Sequence, residues 1–465
     1  MRDPMDRPNV ILVVCDDLGY GDLGCYGSAV NDTPFLDRMA REGIRFTDFY
    51  SAAPVCSPSR GALLTGCYPK RIGFDSFEGR GVLFPGDPVG LHPDEVTIAK
   101  VLKARGYSTK LVGKWHCGDQ PEFLPTRHGF DSYFGLPYSN DMGRQVGGRR
   151  PLPPLPLLLN EEPIELQPDQ AGLTERYVEH SLAFIRENKE RPFFLYLAHM
   201  YVHLPIYVQQ PFLQRSRNGA YGAAVACIDW AMGMILFELE RLGLAQNTLI
   251  IFTSDNGARG DHGGSNAPLR GGKGTTWEGG QRVPCIMYWP GAIPAGAVCR
   301  EMATMMDILP TVALLAGGAV DPAGGDAAAG RTIDGKDIRP LMFGEPGART
   351  PHDAFFYYAK DRLEAVRSGK WKLHVAKRGE PMTALYDLSQ DAGETEDLSS
   401  AHPEVVEELQ AKLAACRLDL GDALTGVAGR NCRSAGRVEH PVVLGSERAA
   451  AYPFIAAEYD LPDRG

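Results

Sequence analysis

A chain of 465 residues is long enough to bury a large core and is more readily two domains than one. Hydrophobic content of 44% and charged content of 23% are ordinary for a globular protein, and no stretch reads as long and apolar enough to cross a bilayer. A net charge of -10 argues against a nucleic-acid or anionic-membrane surface, though not against a small anionic substrate held by local cations. The ten cysteines show no C-x-x-C pair or short regular spacing, so neither a zinc cluster nor a disulfide framework is expected. Residues 1–8 contain no apolar segment of the signal-peptide kind, and the chain as given reads as cytoplasmic unless a leader was trimmed.

Asn9–Cys15 is a continuous, β-branched run of the kind buried on both faces of a parallel sheet. Asp16 and Asp17 follow directly. Ligands bind at the carboxyl ends of strands in open α/β sheets, and paired carboxylates there suit a hard divalent cation; a solvated turn is the other reading. Residues 19–27 form a glycine-rich loop, Pro34–Glu42 has helical periodicity closed by Gly43, and residues 44–49 read as a short strand. That strand delivers the chain to residues 54–66, Pro-Val-Cys-Ser-Pro-Ser-Arg-Gly-Ala-Leu-Leu-Thr-Gly. Ser57 is a good helix N-cap and Pro58 a good first helical residue, which places Cys56 just outside a helix N-terminus. Free N–H groups and the helix dipole there favour a bound anion or a lowered thiol pKa. On its own Cys56 is equally well a small packed residue.

Residues 97–105 predict a helix ending at Gly106, and residues 107–112 a strand running into Gly113-Lys114-Trp115-His116. A fixed positive charge and a group that titrates near neutrality thus stand at a strand end, although a surface lysine or a hydrogen-bonded histidine would explain either alone. Residues 129–141 read as a loop, and the Gly-, Arg- and Pro-rich residues 144–156 as a surface loop able to shape a substrate pocket. A helix over 173–188 precedes an apolar strand over 192–198 that ends at His199 and His203. Residues 221–242 predict a long helix packed on the sheet. The strand over 248–253 runs into Ser254-Asp255-Asn256-Gly257, a second pair of oxygen ligands. Residues 259–280, rich in glycine and carrying Asp261, His262, Arg270, Lys273 and Glu278, form either an active loop or a disordered one. A strand over 283–289 and a helix over 306–317 follow, and residues 317–330 are a low-complexity excursion. Short strands over 354–358, 364–368, 370–376 and 385–388, with a helix over 404–416, predict a smaller antiparallel unit. The division is therefore 1–350 and 351–465; from Arg430 onward no motif is readable.

Four strand ends carry Asp16-Asp17, Lys114-His116, His199 with His203, and Asp255-Asn256, and all converge on one edge of a parallel sheet. Such oxygen donors make a hard-cation site, calcium or magnesium rather than zinc. Arg60, Lys114, His203 and Lys273 supply positive charge for a substrate oxyanion.

With these residues placed, the sequence resembles the sulfatase family, in its arylsulfatase and glycosaminoglycan exo-sulfatase branch. Cys-Ser-Pro-Ser-Arg at 56–60 matches the C-x-P-x-R signature, and the resemblance extends to the Asn9 run with its two aspartates, Gly-Lys-Trp-His at 113, Ser-Asp-Asn-Gly at 254, Leu-Arg-Gly-Gly-Lys-Gly at 269, Trp-Lys-Leu at 371 and Leu-Tyr-Asp-Leu at 385. Cys67 and Cys117 depart from it, standing where arginine and leucine are common. The resemblance implies an alkaline-phosphatase-like α/β sandwich: a large mixed, mostly parallel sheet flanked by helices, plus a smaller C-terminal antiparallel sheet with a helix. It implies that Cys56 is oxidised to formylglycine, whose hydrate attacks sulfur, and that Asp16, Asp17, Asp255 and Asn256 hold Ca2+, or Mg2+, alongside residue 56. Arg60 would orient residue 56, Lys114 and Lys273 stabilise the sulfuryl oxygens, His203 protonate the leaving alcohol, His116 act as base, and Ser139 bond the sulfate. Asp261, His262 and Arg270 are the candidates for leaving-group contacts. The expected reaction is hydrolysis of a sulfated sugar or aryl sulfate; the rivals are a phosphonate or phosphate ester hydrolase and an unmatured binding protein. The expected partners are a sulfated small molecule or saccharide and a formylglycine-generating maturation enzyme, with no nucleic acid, no membrane, and a homo-oligomer possible.

Overall fold

Residues 7–146, 152–318, 331–445 and 457–462 are described by the computed structural model of the chain. Asn9–Cys15 is a strand buried along its whole length, and its alternate residues feed two different cores. Val10, Leu12 and Val14 pack with Leu63, Ile98 and Leu309 on one side, while Ile11 and Val13 pack with Leu36, Tyr177 and Ile228 on the other. The helices Cys56–Thr65, Ile98–Lys103 and Ile308–Leu315 cover the first face; Pro34–Glu42, Leu173–Glu187 and Gly219–Arg241 cover the second.

The sheet between them has eleven strands. Its centre is a parallel run in the spatial order Thr248–Ser254, Asn9–Cys15, Phe193–Ala198, Ser108–Gly113 and Ser132–Gly135. Arg282–Tyr288 joins one side antiparallel and pairs onward to Ile44–Tyr50, and the hairpin of Pro156–Leu159 and Glu162–Leu166 closes the other side. Because the parallel strands stop at a common edge, the segments beyond their last ladder pairs remain tied: Lys114 N donates to Ala198 O at 2.8 Å, His199 N to Val14 O at 2.9 Å, and Asp255 N to Cys15 O at 3.0 Å.

Phe355–Ala359, Arg362–Ser368, Trp371–Lys377 and Glu380–Asp387 form a second, antiparallel sheet in sequence order. The helix Pro403–Leu420 lies on it through Leu409, Leu413, Cys416 and Leu420. Phe355, Tyr357, Leu363, Leu373 and Leu385 belong to the same core as the Cys56–Thr65 side of the large sheet, so the two sheets share one apolar interior. Across it the buried Glu278 carboxylate accepts from Lys372 Nζ at 2.9 Å and Tyr357 Oη at 2.8 Å, which keeps a fully desolvated charge paired.

Several local expectations change. Ser132–Gly135 is a strand inside the stretch read as loop; four residues flanked by glycine and proline give too short a pattern to see, and it forms by pairing with Ser108–Gly113. Gly219–Arg241 is long and apolar enough to cross a bilayer, contrary to the expectation, but 72% of its most apolar stretch is buried and it serves as a core helix. The segment 259–280 contacts the large-sheet edge through Lys273 and Asp17, and the small-sheet side through Arg270 with Glu394 and Glu278 with Lys372. Of the proline-rich loop, residues 147–151 lie outside the described residues, as do 319–330 of the low-complexity excursion.

Candidate active site

The helix Cys56–Thr65 begins two residues earlier than capping rules suggested. Val55, in extended conformation, is its N-cap, and Cys56 is the first helical residue. Ser57 does not cap: its Oγ accepts from Leu83 N at 3.2 Å, because a loop packed over the helix start competes for it. Every residue of this helix is buried, so it has no polar face, and Gly61 lets it approach Phe74, whose ring would lie 2.7 Å from an added Cβ. Cys67, after the helix, is reached by Arg433 Nη2 at 3.4 Å, so an arginine from far along the chain approaches the position where the family commonly has its own.

Cys56 Sγ lies 3.3 Å from Asp16 Oδ1 and 4.0 Å from Asp17 Oδ1. Burial first, and the Asp16 charge second, push the thiol well above its ordinary pKa, which reverses the expectation of an activated thiolate. Lys114 Nζ donates to Asp16 and, at 3.1 Å, to Ser139 Oγ. Lys273 Nζ is 2.8 Å from Asp17 Oδ2, the one side chain of the long glycine-rich loop that reaches this cluster among the described contacts. Arg60 Nε and Nη2 hold Asp255 Oδ2 at 2.9 and 2.8 Å, Nη2 is 3.7 Å from Asp16, and Nη1 donates to Lys114 O at 2.9 Å. Burial alone would raise Asp16, but Lys114, His203 and Arg60 hold it well below the usual carboxylate range; Asp255, buried and repelled by Asp16, is pushed up to about 7. Negative charge is thereby concentrated on the carboxylate nearest Cys56.

Asn256 Nδ2 donates to Asp17 Oδ1 at 2.7 Å, while its Oδ1 is buried without a hydrogen-bond partner among the described residues. The ligand atoms of Asp16, Asp17, Cys56 and His203 lie within 4.8 Å of one another. Three carboxylates with an orphaned amide oxygen are hard donors, and this set fits a divalent cation of the calcium or magnesium class.

The three histidines differ. His116 Nε2 is 3.0 Å from Leu83 O, which assigns it the proton and leaves Nδ1 buried, without a hydrogen-bond partner among the described residues and able to accept one. Burial, reinforced by Lys114, holds this imidazole neutral. His203 Nδ1 is 2.6 Å from Leu204 O, so its Nε2 faces the cluster, 3.4 Å from Ser139 Oγ and 3.9 Å from Asp17 Oδ2. His199 accepts from Tyr201 N at 3.0 Å and contacts Thr174 Oγ1 at 3.3 Å, a packed, hydrogen-bonded group outside the cluster. Arg270 turns away, stacking 3.9 Å over Trp277 and donating to Glu394 O at 2.9 Å, and Asp261 and His262 pair at 2.8 Å on the exposed part of their loop. Sequence reading missed Leu83, which fixes both Ser57 and His116 through its backbone; backbone partners leave no side-chain signal.

Gly113 sets the bend that delivers Lys114: its φ is +111°, and an added Cβ would sit 1.9 Å from Ala198 O. Gly113→Ala is therefore expected to destabilise the protein by at least about 2 kcal/mol, read as a lowered unfolding midpoint. An unchanged midpoint would show that the bend is not required.

The sequence profile described as Sulfatase matches residues 8–319. The chain is 41% identical to arylsulfatase A of Homo sapiens, covering 89% of this chain and 88% of that protein, and 44% identical to N-acetylgalactosamine-6-sulfatase of Canis lupus familiaris, covering 79% and 71%. The crystal structure of Ps i-CgsB in complex with k-i-k-neocarrahexaose superposes with a TM-score of 0.78 at 31% identity, covering 88% of this chain and 92% of that one. The two-sheet architecture is accordingly the alkaline-phosphatase-like one. These relatives overturn the cytoplasmic expectation, since arylsulfatase A and N-acetylgalactosamine-6-sulfatase are enzymes of the secretory pathway and lysosome; the polar opening residues were no argument against that route. With the signature residues 56–60, the first of the helix, at the centre of the buried cluster, the chain belongs to the sulfatase family and hydrolyses sulfate esters.

Proposed function

We propose that the protein removes sulfate from carbohydrate esters, using residue 56 matured to formylglycine and a calcium ion held beside it. The observation that carries this reading is the gathering of Cys56, three carboxylates and three cations into one buried cluster at a single sheet edge. Relatives that act on a sulfated amino sugar, and a solved structure holding a carrageenan-type oligosaccharide, support a saccharide substrate.

Asp16, Asp17, Asp255 and Asn256, with residue 56, would hold the ion, Mg2+ being the alternative to Ca2+. Once bound, such a cation lowers the proton affinity of an attached hydroxyl and offsets charge on sulfuryl oxygens. Formylglycine hydrate supplies two hydroxyls on one carbon: one to attack sulfur, the second to expel sulfate as the aldehyde returns. Lys114 and Ser139, already hydrogen-bonded to each other, and Lys273 present donors where sulfuryl oxygens accumulate charge. His203 offers Nε2 as the position that protonates the leaving oxygen; burial and the Lys273 charge lower its proton affinity, and an anionic substrate restores part of it. His116 Nδ1, without a partner among the described residues, receives the proton of the second hydroxyl. Arg60 holds the carboxylate array, and Asp261 and His262 are the loop candidates for leaving-group contact. In this division of labour residues 1–350 carry the chemistry, 351–465 brace the Lys273 loop, and a formylglycine-generating enzyme is the maturation partner.

The test is a panel of defined sulfated mono- and disaccharides, aryl sulfates and matched phosphate esters, assayed on protein co-expressed with the maturation enzyme. Sulfated sugars should give the highest kcat/KM, and chelation should lower it about tenfold or more, with Ca2+ restoring it. A preference for phosphorus esters, or indifference to chelator, would sink the proposal.

A further inference from the structure

We propose that residues 457–462 are a strap that positions the two loops presenting Ser139 and His203, with Tyr459 as its anchor; this rests on the roles given to those two side chains above. The loops leave different strands, Ser132–Gly135 and Phe193–Ala198, and meet where Ser139 Oγ lies 3.4 Å from the His203 ring. Both are irregular, so their backbone groups need partners from elsewhere in the chain. Asn140 supplies one cross-link, donating from Nδ2 to Pro205 O at 3.1 Å.

The strap supplies further ties. Tyr459, only 2% exposed, accepts on its carbonyl from Val146 N at 2.9 Å and donates from its hydroxyl to Pro168 O at 2.8 Å. Its ring packs on Gly143, where an added Cβ would come within 2.9 Å of it, and its centroid lies 5.7 Å from that of Tyr207. Leu461 N donates to the Tyr207 hydroxyl at 3.0 Å, and the Tyr207 carbonyl in turn accepts from the Tyr201 hydroxyl. Thus one short segment, 256 positions past His203 at Tyr459, touches the Ser139 loop at Gly143 and Val146 and the His203 loop at Tyr207. Both loops are buried, yet irregular segments open locally when a tie is removed, and a shift of about 1 Å in a positioned group can cost about a hundredfold in rate.

The test is hydrogen exchange with mass spectrometry on the full chain carrying Tyr459→Ala, beside Tyr459→Phe and the parent protein, with sulfate-ester kinetics on the same samples. In Tyr459→Ala, peptides spanning 138–146 and 199–209 should exchange faster while the central strands do not change, and kcat/KM should fall on the order of tenfold. Tyr459→Phe keeps the ring and the backbone bonds and should stay within about threefold of the parent. Exchange at parental rates in both loops overturns the proposal. So does exchange that rises throughout the chain, which would make the segment a general part of the fold, and so does faster loop exchange with kcat/KM unchanged. Exchange does not require turnover: if the parent protein hydrolyses no sulfate ester, the site assignment fails while the mechanical role of the strap is still decided.

Discussion

Replacing Cys56 by alanine is expected to lower sulfate-ester turnover by at least about 10⁴-fold while leaving the unfolding midpoint near that of the parent. The side chain is fully buried and small, and it lies against carboxylate oxygens rather than in an apolar niche, so its removal sacrifices little packing. The catalytic loss follows from bond-making: alanine offers no oxygen on the side chain of residue 56, and no neighbouring hydroxyl replaces it, since Ser57 and Ser59 are engaged with Leu83 and Ala53. Cys56→Ser separates two aspects of the same role. A serine oxygen could attack sulfur but lacks the second hydroxyl on the same carbon, so it would retain the sulfate as a stable ester. Mass spectrometry of the residue 56 peptide after exposure to substrate should then show an added sulfate in the serine variant and none in the alanine variant. Retained steady-state turnover in Cys56→Ala would refute the nucleophile.

Much of this site was legible because the chain writes it at strand ends. Asn9–Cys15 had to be buried on both faces, and once that was read, Asp16 and Asp17 were placed at the sheet edge; the same logic placed Lys114, His203 and Asp255. Interactions between distant segments were not legible. Arg270 stood in a glycine-rich active loop, yet its partners Trp277 and Glu394 turn it toward the small sheet. Ser57 fitted a local capping rule and was taken instead by Leu83, 26 positions on. The polarity of the thiol was misread for a related reason: a helix N-terminus lowers a pKa, but burial beside Asp16 outweighs it, and that proximity is tertiary. Tyr459 illustrates the limit, since nothing in residues 457–462 resembles a motif and their importance lies entirely in what they touch.

Arg60→Ala is expected to be the most destabilising single change at the site, by about 3–5 kcal/mol. Asp16, Asp17 and Asp255 are balanced in the folded protein by Arg60, Lys114 and Lys273, and all the partners of Arg60 are shielded from water. Removing the guanidinium leaves Asp255 without the fork that holds it and strips Lys114 O of its donor, so two buried acceptors lose their partners together. The charge imbalance falls on the carboxylates nearest Cys56, so activity should fall with stability. Arg60→Lys discriminates charge from geometry: an ammonium restores the charge but cannot bond Asp255 through Nε and Nη2 while also reaching Lys114 O. It should recover part of the stability and little of kcat, because Lys114 sits on the carbonyl that the fork fixes. Urea unfolding of the three proteins, followed by far-ultraviolet circular dichroism, measures the first effect, and kinetics at saturating substrate the second. Parental stability in Arg60→Ala would mean that the buried carboxylates do not depend on this charge, and full activity in Arg60→Lys would mean that the fork does not position the site.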